Sequence, residues 1–191
     1  MRKIILICFA TAFFGGVSGF VATLVMNDKA QASSETQSLN VISQGITAEG
    51  ESLSKVDFKN KIKDIDKTSL PFKNEITSEQ ITSLVKNEQV FHKFYMNKSS
   101  GNLLELQVTD ADIVPMGDGA NGEGLIAVKL NGKDAQYYTN GAVEILFWKD
   151  DGLSYSLTSS THNTKDQKIN TLADDKSLGA EEMVKIASSM K

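Results

Sequence analysis

The spacing of apolar residues changes character several times along this chain, and each change marks an expected element. After Arg2 and Lys3 comes an uncharged, largely apolar run from Ile4 to Met26, closed by Asn27, Asp28 and Lys29. As a helix it would measure about 34 Å, against a hydrocarbon core of roughly 30 Å. From Ser33 to Ser54 the chain is polar, lacks aromatics and keeps no period, which predicts a flexible stalk. Val56, Phe58, Ile62 and Ile65 then recur at near-helical spacing and predict a short first helix, stopped by Leu70-Pro71-Phe72. Thr77 and Gln80 fit a capping box, with Ile76 and Ile81 placed as a hydrophobic staple, so a helix is expected from about Ser78 to Lys86.

Beyond that point the period becomes two. Strands are expected at Val90–Met96 and Leu103–Val108, separated by the turn-rich segment NKSSGN. Leu125–Leu130 and Ala135–Tyr138 flank Asn131-Gly132, a strong hairpin signal because a type I′ turn needs positive φ at both central residues. Val143–Trp148 and Leu153–Thr158 flank a second turn at Lys149-Asp150-Asp151-Gly152. Leu153, Tyr155 and Leu157 alternate with Ser154, Ser156 and Thr158, giving that strand one dry and one wet face. A polar connection from Ser159 to Lys176 leads to a last helix with Gly179 expected as N-cap and a Leu178–Met183 staple. Met183, Ile186, Ala187 and Met190 line one side of it. The expected fold is therefore α+β: a curved antiparallel meander of about six strands, covered by a C-terminal helix and preceded by a transmembrane or signal helix.

The N-terminal run changes the meaning of everything after it. With Arg2 and Lys3 ahead of the span, the positive-inside rule places residues 33–191 outside the cytoplasm. Two fates are open. The length of the 4–26 run favours a retained single-span anchor, while Ala30-Gln31-Ala32 supplies the small-x-small pattern for cleavage after Ala32 and secretion. Gly15 and Gly19 form a G-x-x-x-G, which either lets two membrane helices approach closely or reflects the ordinary abundance of small residues in spans. The domain plan is thus 1–32 signal segment, 33–54 stalk and 55–191 extracytoplasmic domain.

The single cysteine, Cys8, lies inside the apolar run, so the exported part can form neither a disulfide nor a thiolate metal site. Removing residues 1–32 takes away Arg2, Lys3, Lys29 and Asp28 and leaves 17 basic and 23 acidic residues, a net charge of −6. An acidic domain without a Lys/Arg cluster argues against nucleic acid as a partner.

The C-terminal residues carry a resemblance. Val128-Lys129-Leu130-Asn131-Gly132-Lys133, then Ile145-Leu146-Phe147-Trp148, Asp151-Gly152, Tyr155-Ser156-Leu157 and the closing Glu181–Met190 stretch resemble a Gram-positive domain-of-unknown-function family. That family forms the extracytoplasmic C-terminal module of anti-sigma-factor-like membrane proteins and of small anchored or secreted proteins. The resemblance covers about Leu70–Lys191 and implies an α+β domain distantly like lipoprotein-carrier folds. It implies no catalytic residue. A direct anti-sigma role transfers badly, since only Met1, Arg2 and Lys3 are left on the cytoplasmic side.

Candidate chemistry is sparse. His92 on an expected strand and His162 in the long connection are the two histidines, without metal-ligand spacing or a triad context. Asp110, Asp112, Asp118, Asn121 and Glu123 surround the glycine-rich MGDGANGEG, but Val114 stands where a third calcium ligand would fall. Trp148, Tyr137, Tyr138 and Tyr155 line either a core or a ligand groove. The expectation is a non-enzymatic binding or regulatory module with no catalytic, cofactor or metal residues, held by the membrane through residues 4–26 and contacting a protein or envelope component. A lipid or lipopeptide carrier is the first alternative and an envelope hydrolase the second.

Overall fold

A computed structural model describes residues 5–6, 42–43, 47–83, 88–115, 124–161 and 177–191. Its core is one antiparallel sheet. The strands are β1 (Ile42–Ser43), β2 (Thr47–Ala48), β3 (Ile76–Ser83), β4 (Gln89–Met96), β5 (Asn102–Thr109), β6 (Ile126–Leu130), β7 (Lys133–Thr139), β8 (Val143–Asp150) and β9 (Leu153–Thr161). Eight of them lie in the order β1-β3-β4-β5-β9-β8-β7-β6, and β2 pairs β3 on the same side as β1. All these pairings are antiparallel. One helix, α1 (Gly179–Ser188), follows.

All six expected strand segments are strands; the expected Asn131-Gly132 turn has left-handed central residues, and the second connection, expected over Lys149–Gly152, tightens to Asp151-Gly152 with the same hand. Asn131 and Gly132 have φ 50° and 81°, and Asp151 and Gly152 have φ 48° and 78°. The connectivity, however, departs from a simple meander. The sheet is two meanders, β3-β4-β5 and β6-β7-β8-β9, joined by pairing of β5 with β9 from Thr109↔Ser154 to Asn102↔Thr161. Between them the chain runs from the middle of the sheet to its far edge. Four strand spacings amount to roughly 19 Å, well within the reach of residues 110–125.

Two expected helices are corrected. Residues 78–83 of the expected helix at 78–86 lie in β3, and 84–87 fall outside the described residues. Ile76, Thr77, Ile81 and Thr82 are β-branched, and all eight residues find ladder partners on β4, from Ile76↔Met96 to Ser83↔Gln89. A capping box commits only four residues, and the eight-pair ladder overrides it. The expected first helix near 56–65 is instead a strap with three single 3₁₀ turns, Leu53–Lys55, Lys59–Lys61 and Lys67–Ser69. Val56, Phe58 and Ile65 are nevertheless buried, as their spacing implied. The segment expected as a stalk contributes β1 and β2 to the sheet edge, so over those residues it is part of the fold.

Along β4, β5, β8 and β9 the inward set is Phe91 and Tyr95, Leu104, Leu106 and Val108, Leu146 and Trp148, and Leu153, Tyr155 and Leu157. The strap and the α1 residues Met183, Ile186 and Ala187 close over this face. Tyr155 Oη donates to the Lys61 carbonyl at 3.1 Å, and Asp64 and Lys191 exchange backbone N–H···O bonds of 2.9 and 3.1 Å, so strap, sheet and C-terminus are tied together. The opposite face carries a smaller apolar cluster of Tyr138, Val143, Ile145 and Phe147.

Of the apolar run 4–26 only Ile5–Leu6 is described, as a two-residue parallel pairing with Ile113–Val114. The span itself therefore lies outside the described residues, among which no helix is long and apolar enough to cross a membrane. His162, Asp118, Asn121, Glu123 and the connection 162–176 also lie outside them.

Candidate functional site

The hairpin β6–β7 and the turn-proximal end of β8 meet α1 and the strap at one end of the inner face. There they enclose a cleft of about 130 Å³ lined by Lys63, Leu130, Asn131, Lys133, Trp148, Asp150, Ala187 and Met190. Its floor is apolar. Trp148 stacks on Tyr155 with ring centroids 5.1 Å apart and planes 10° off parallel, which fixes the indole against the core. The rim is cationic: Lys133 and Lys63 both bond the Asp150 carboxylate, one to each oxygen. Those bonds, Lys133's first, hold the Asp150 carboxyl below the usual carboxylate range, and the bond to Asp150 raises Lys63. Two ammonium groups thus share one carboxylate beside an indole, with Asp151 close enough to act on Lys63 as well, so that charged donors stand next to an apolar surface.

On the β3–β4 side of the same face, Lys93 lies in phase with the inward Phe91 and Tyr95. Its Nζ lies 2.6 Å from Asp64 Oδ2, 3.0 Å from Glu49 Oε1 and 3.8 Å from Glu79 Oε1, and Tyr95 donates to Asp64 Oδ1. Burial alone would lower the Lys93 ammonium, but its bonds to Asp64 and Glu49 outweigh that and raise it. Glu79 Oε2 accepts from Leu53 N at 3.0 Å. This network fastens the strap to β3 and β4.

Glu144 is the most fully used carboxylate. It is 0 % exposed and accepts from Tyr137 Oη (2.8 Å), Ser177 Oγ (2.7 Å), Leu178 N (2.9 Å) and Gly179 N (2.7 Å). A side chain from the sheet therefore caps α1. The N-cap residue is Leu178, one position before the expected Gly179, and it makes no side-chain cap bond. Gly179 takes φ +70°, a conformation open to it because it has no Cβ.

On the opposite face, His92 Nδ1 and Glu105 Oε1 are 2.8 Å apart, and Gln107 Nε2 donates to the same oxygen at 2.8 Å. Ser156 lies in this cross-strand row, next to Gln107. Its Oγ is buried and makes no hydrogen bond among the described residues.

Among the sequence candidates, Tyr137 and Tyr155 are core residues, Tyr138 belongs to the opposite face, and Trp148 alone also borders the cleft. Asp112 pairs with Lys149 at 2.8 Å. Among the described residues no group of three or more His, Cys, Asp or Glu is arranged to hold a metal ion. Lys63, Lys133, Asp150, Lys93 and Glu144 escaped the sequence reading. The available signal was a charged residue in phase with inward apolar neighbours, as Lys93 is with Phe91 and Tyr95.

A family model described as a domain of unknown function (DUF4367) matches residues 77–175, just over half of the 191 residues. The chain belongs to this family. Comparison with curated proteins and with solved structures finds no match. The DUF4367 match runs from the second residue of β3 through β9, so it contains both meanders apart from Ile76. The strap and α1 lie outside the match, and the cleft is built from both: Leu130, Asn131, Lys133, Trp148 and Asp150 come from the DUF4367 segment, and Lys63, Ala187 and Met190 from the covering elements.

Proposed function

We propose that this DUF4367 chain is a non-enzymatic extracytoplasmic binding module of regulatory type, attached through residues 4–26 or released after Ala32. The Trp148 cleft is its contact site, and its partner is a protein segment that presents a carboxylate beside an apolar side chain. The observation that carries this reading is the convergence of Lys63 and Lys133 on Asp150 at the edge of an apolar floor. The Arg2/Lys3 start and the apolar run after it support the outside location, and the resemblance to C-terminal modules of anti-sigma-factor-like membrane proteins of Gram-positive bacteria supports a regulatory role. A regulatory output inside the cell would pass through a second membrane protein.

The carrier alternative is less well supported. Drug-sized ligands occupy pockets of about 300–1,000 Å³. Between sheet and helix Leu104, Leu106, Leu146, Leu157, Met183 and Ile186 are each fully buried against one another's cluster, and the cleft is far smaller. The hydrolase alternative would need the loop 109–124 to converge with His162, which lies outside the described residues.

The test uses the full chain in its own cells. A photo-crosslinking residue at Lys133 is expected to trap one discrete protein partner, while the same probe at Gln136, on the other face of β7, does not. External protease on wall-stripped cells is expected to remove residues 33–191 from an anchored chain. Equal labelling at the two positions refutes the cleft as the contact site, and protection from protease refutes the location.

A further inference from the structure

The two edges of the sheet are finished differently. At one, β3 is paired along its outer side by β1 and β2. At the other, β6 has β7 on one side and no strand beyond it among the described residues. Ile126 there is 53 % exposed, the one exposed large hydrophobic among the described residues, and Ala127 and Lys129 are exposed as well. Edge strands in natural proteins are usually blunted by proline, bulges or several charges. This one carries only Lys129, which is neutralised by Asp134 at 2.6 Å on the adjacent strand.

The pairing rules show which groups β6 offers. Leu130 and Lys133 flank the two-residue Asn131-Gly132 turn and so form a hydrogen-bonded pair, and alternation makes Val128↔Ala135 and Ile126↔Tyr137 hydrogen-bonded as well. The N–H and C=O groups of Ala127 and Lys129 therefore point away from β7, toward the open edge. The geometry points to a second copy of this chain as their partner: β6 pairs antiparallel with β6 of that copy, with Val128 on the two-fold axis. In this register each Ala127 exchanges both backbone bonds with Lys129 of the other copy, and Val128 meets Val128 in a close non-hydrogen-bonded pair. Ile126 lies opposite Leu130 on the inner face, which makes a continuous apolar row Ile126–Val128–Leu130 across the joint. Each lysine faces an alanine, so no like charges are opposed. A shift by one residue in either direction would leave outward amides facing inward ones. The strand is thus complementary to itself in charge, polarity and hydrogen-bond phase, as an isologous two-fold contact requires.

The test is a register-specific disulfide in the full chain, purified in mild detergent, with Cys8→Ser removing the only native thiol. In a non-hydrogen-bonded antiparallel pair the Cα atoms are about 4.5 Å apart, within the span a disulfide bridges. Val128→Cys is therefore expected to yield a covalent dimer of twice the 20.8 kDa chain on mild oxidation. Ala127→Cys, whose counterpart in the other copy is diagonal to it, stays monomeric. Adding Ala127→Pro to Val128→Cys deletes an outward N–H while sparing the β6–β7 ladder, and abolishes the cross-link with the far-ultraviolet spectrum unchanged. Absence of the dimer from a folded Val128→Cys chain overturns the inference, as does equal cross-linking at 127 and 128 or a cross-link that survives Ala127→Pro.

Discussion

Replacing Glu144 tests how a strand side chain holds the covering helix. In Glu144→Ala the amides of Leu178 and Gly179 and the hydroxyls of Tyr137 and Ser177 lose their acceptor together. Leaving a buried donor without its acceptor costs about 1–3 kcal/mol, and the four losses are not additive, so about 3–5 kcal/mol is the range for losing all four together. Ser177 and Leu178 are partly accessible and can recruit water, so the lower end of that range, about 3 kcal/mol, is the expected loss. For a domain of this size that corresponds to a fall in Tm of roughly 6–12 °C. Glu144→Gln keeps the shape but turns one acceptor into a donor facing N–H groups, and should fall between alanine and wild type. Urea unfolding followed through the emission of the single Trp148 gives the free energy, and amide exchange at Leu178 and Gly179 reports the cap directly. A loss below about 1 kcal/mol in Glu144→Ala, with those two amides still protected, would refute the reasoning.

Two further predictions concern the tyrosines and the Asn131-Gly132 turn. Burial first, and then bonding to Asp64 and Glu144 respectively, raises the Tyr95 and Tyr137 phenols above the usual 10.0, and burial raises Tyr155. A raised native value means stability that is complete below pH 10 and lost as pH climbs above it; tyrosinate absorbance at these three residues should therefore appear together with unfolding, and Tyr95→Phe should flatten the alkaline loss. Smooth ionisation near pH 10 with near-ultraviolet dichroism intact would contradict this. Gly132→Ala meets no atom within 4 Å of the new Cβ but keeps φ at +81°, so it should cost about 1–2 kcal/mol in a urea titration, all of it backbone strain; a neutral result would mean the turn type is wrong.

Elements whose pattern is local and sustained could be read from the residues. The alternation of Leu153, Tyr155 and Leu157 with polar neighbours, the Asn131-Gly132 turn and the 183–186–187–190 stripe each set a face and a period within ten residues. Ile76–Ser83 could not be read this way, because a capping-box match and four β-branched residues favour opposite structures. The choice was made by Gln89–Met96, which offers eight ladder partners. The cleft divided along the same line. Trp148 was singled out as a large aromatic on a strand, but Lys63 and Asp150 stand 87 positions apart and nothing local relates them. Glu144 sits in Val143–Trp148, where apolar residues occupy both faces, so no alternation marked it as inward.

The sequence by itself determined the apolar, uncharged run behind Arg2 and Lys3, the acidic cysteine-free remainder, and the two-residue turn at Asn131-Gly132. These depend on composition or on a few neighbouring dihedral angles. Only the tertiary structure decided that β9 inserts beside β5, that β1 and β2 cover one sheet edge while no described strand covers β6, and that one buried carboxylate caps a helix 35 residues away. A backbone N–H or C=O on a strand accepts any partner strand equally well. Which strand it meets is settled by the burial of whole faces at once, a property no short stretch of the chain contains.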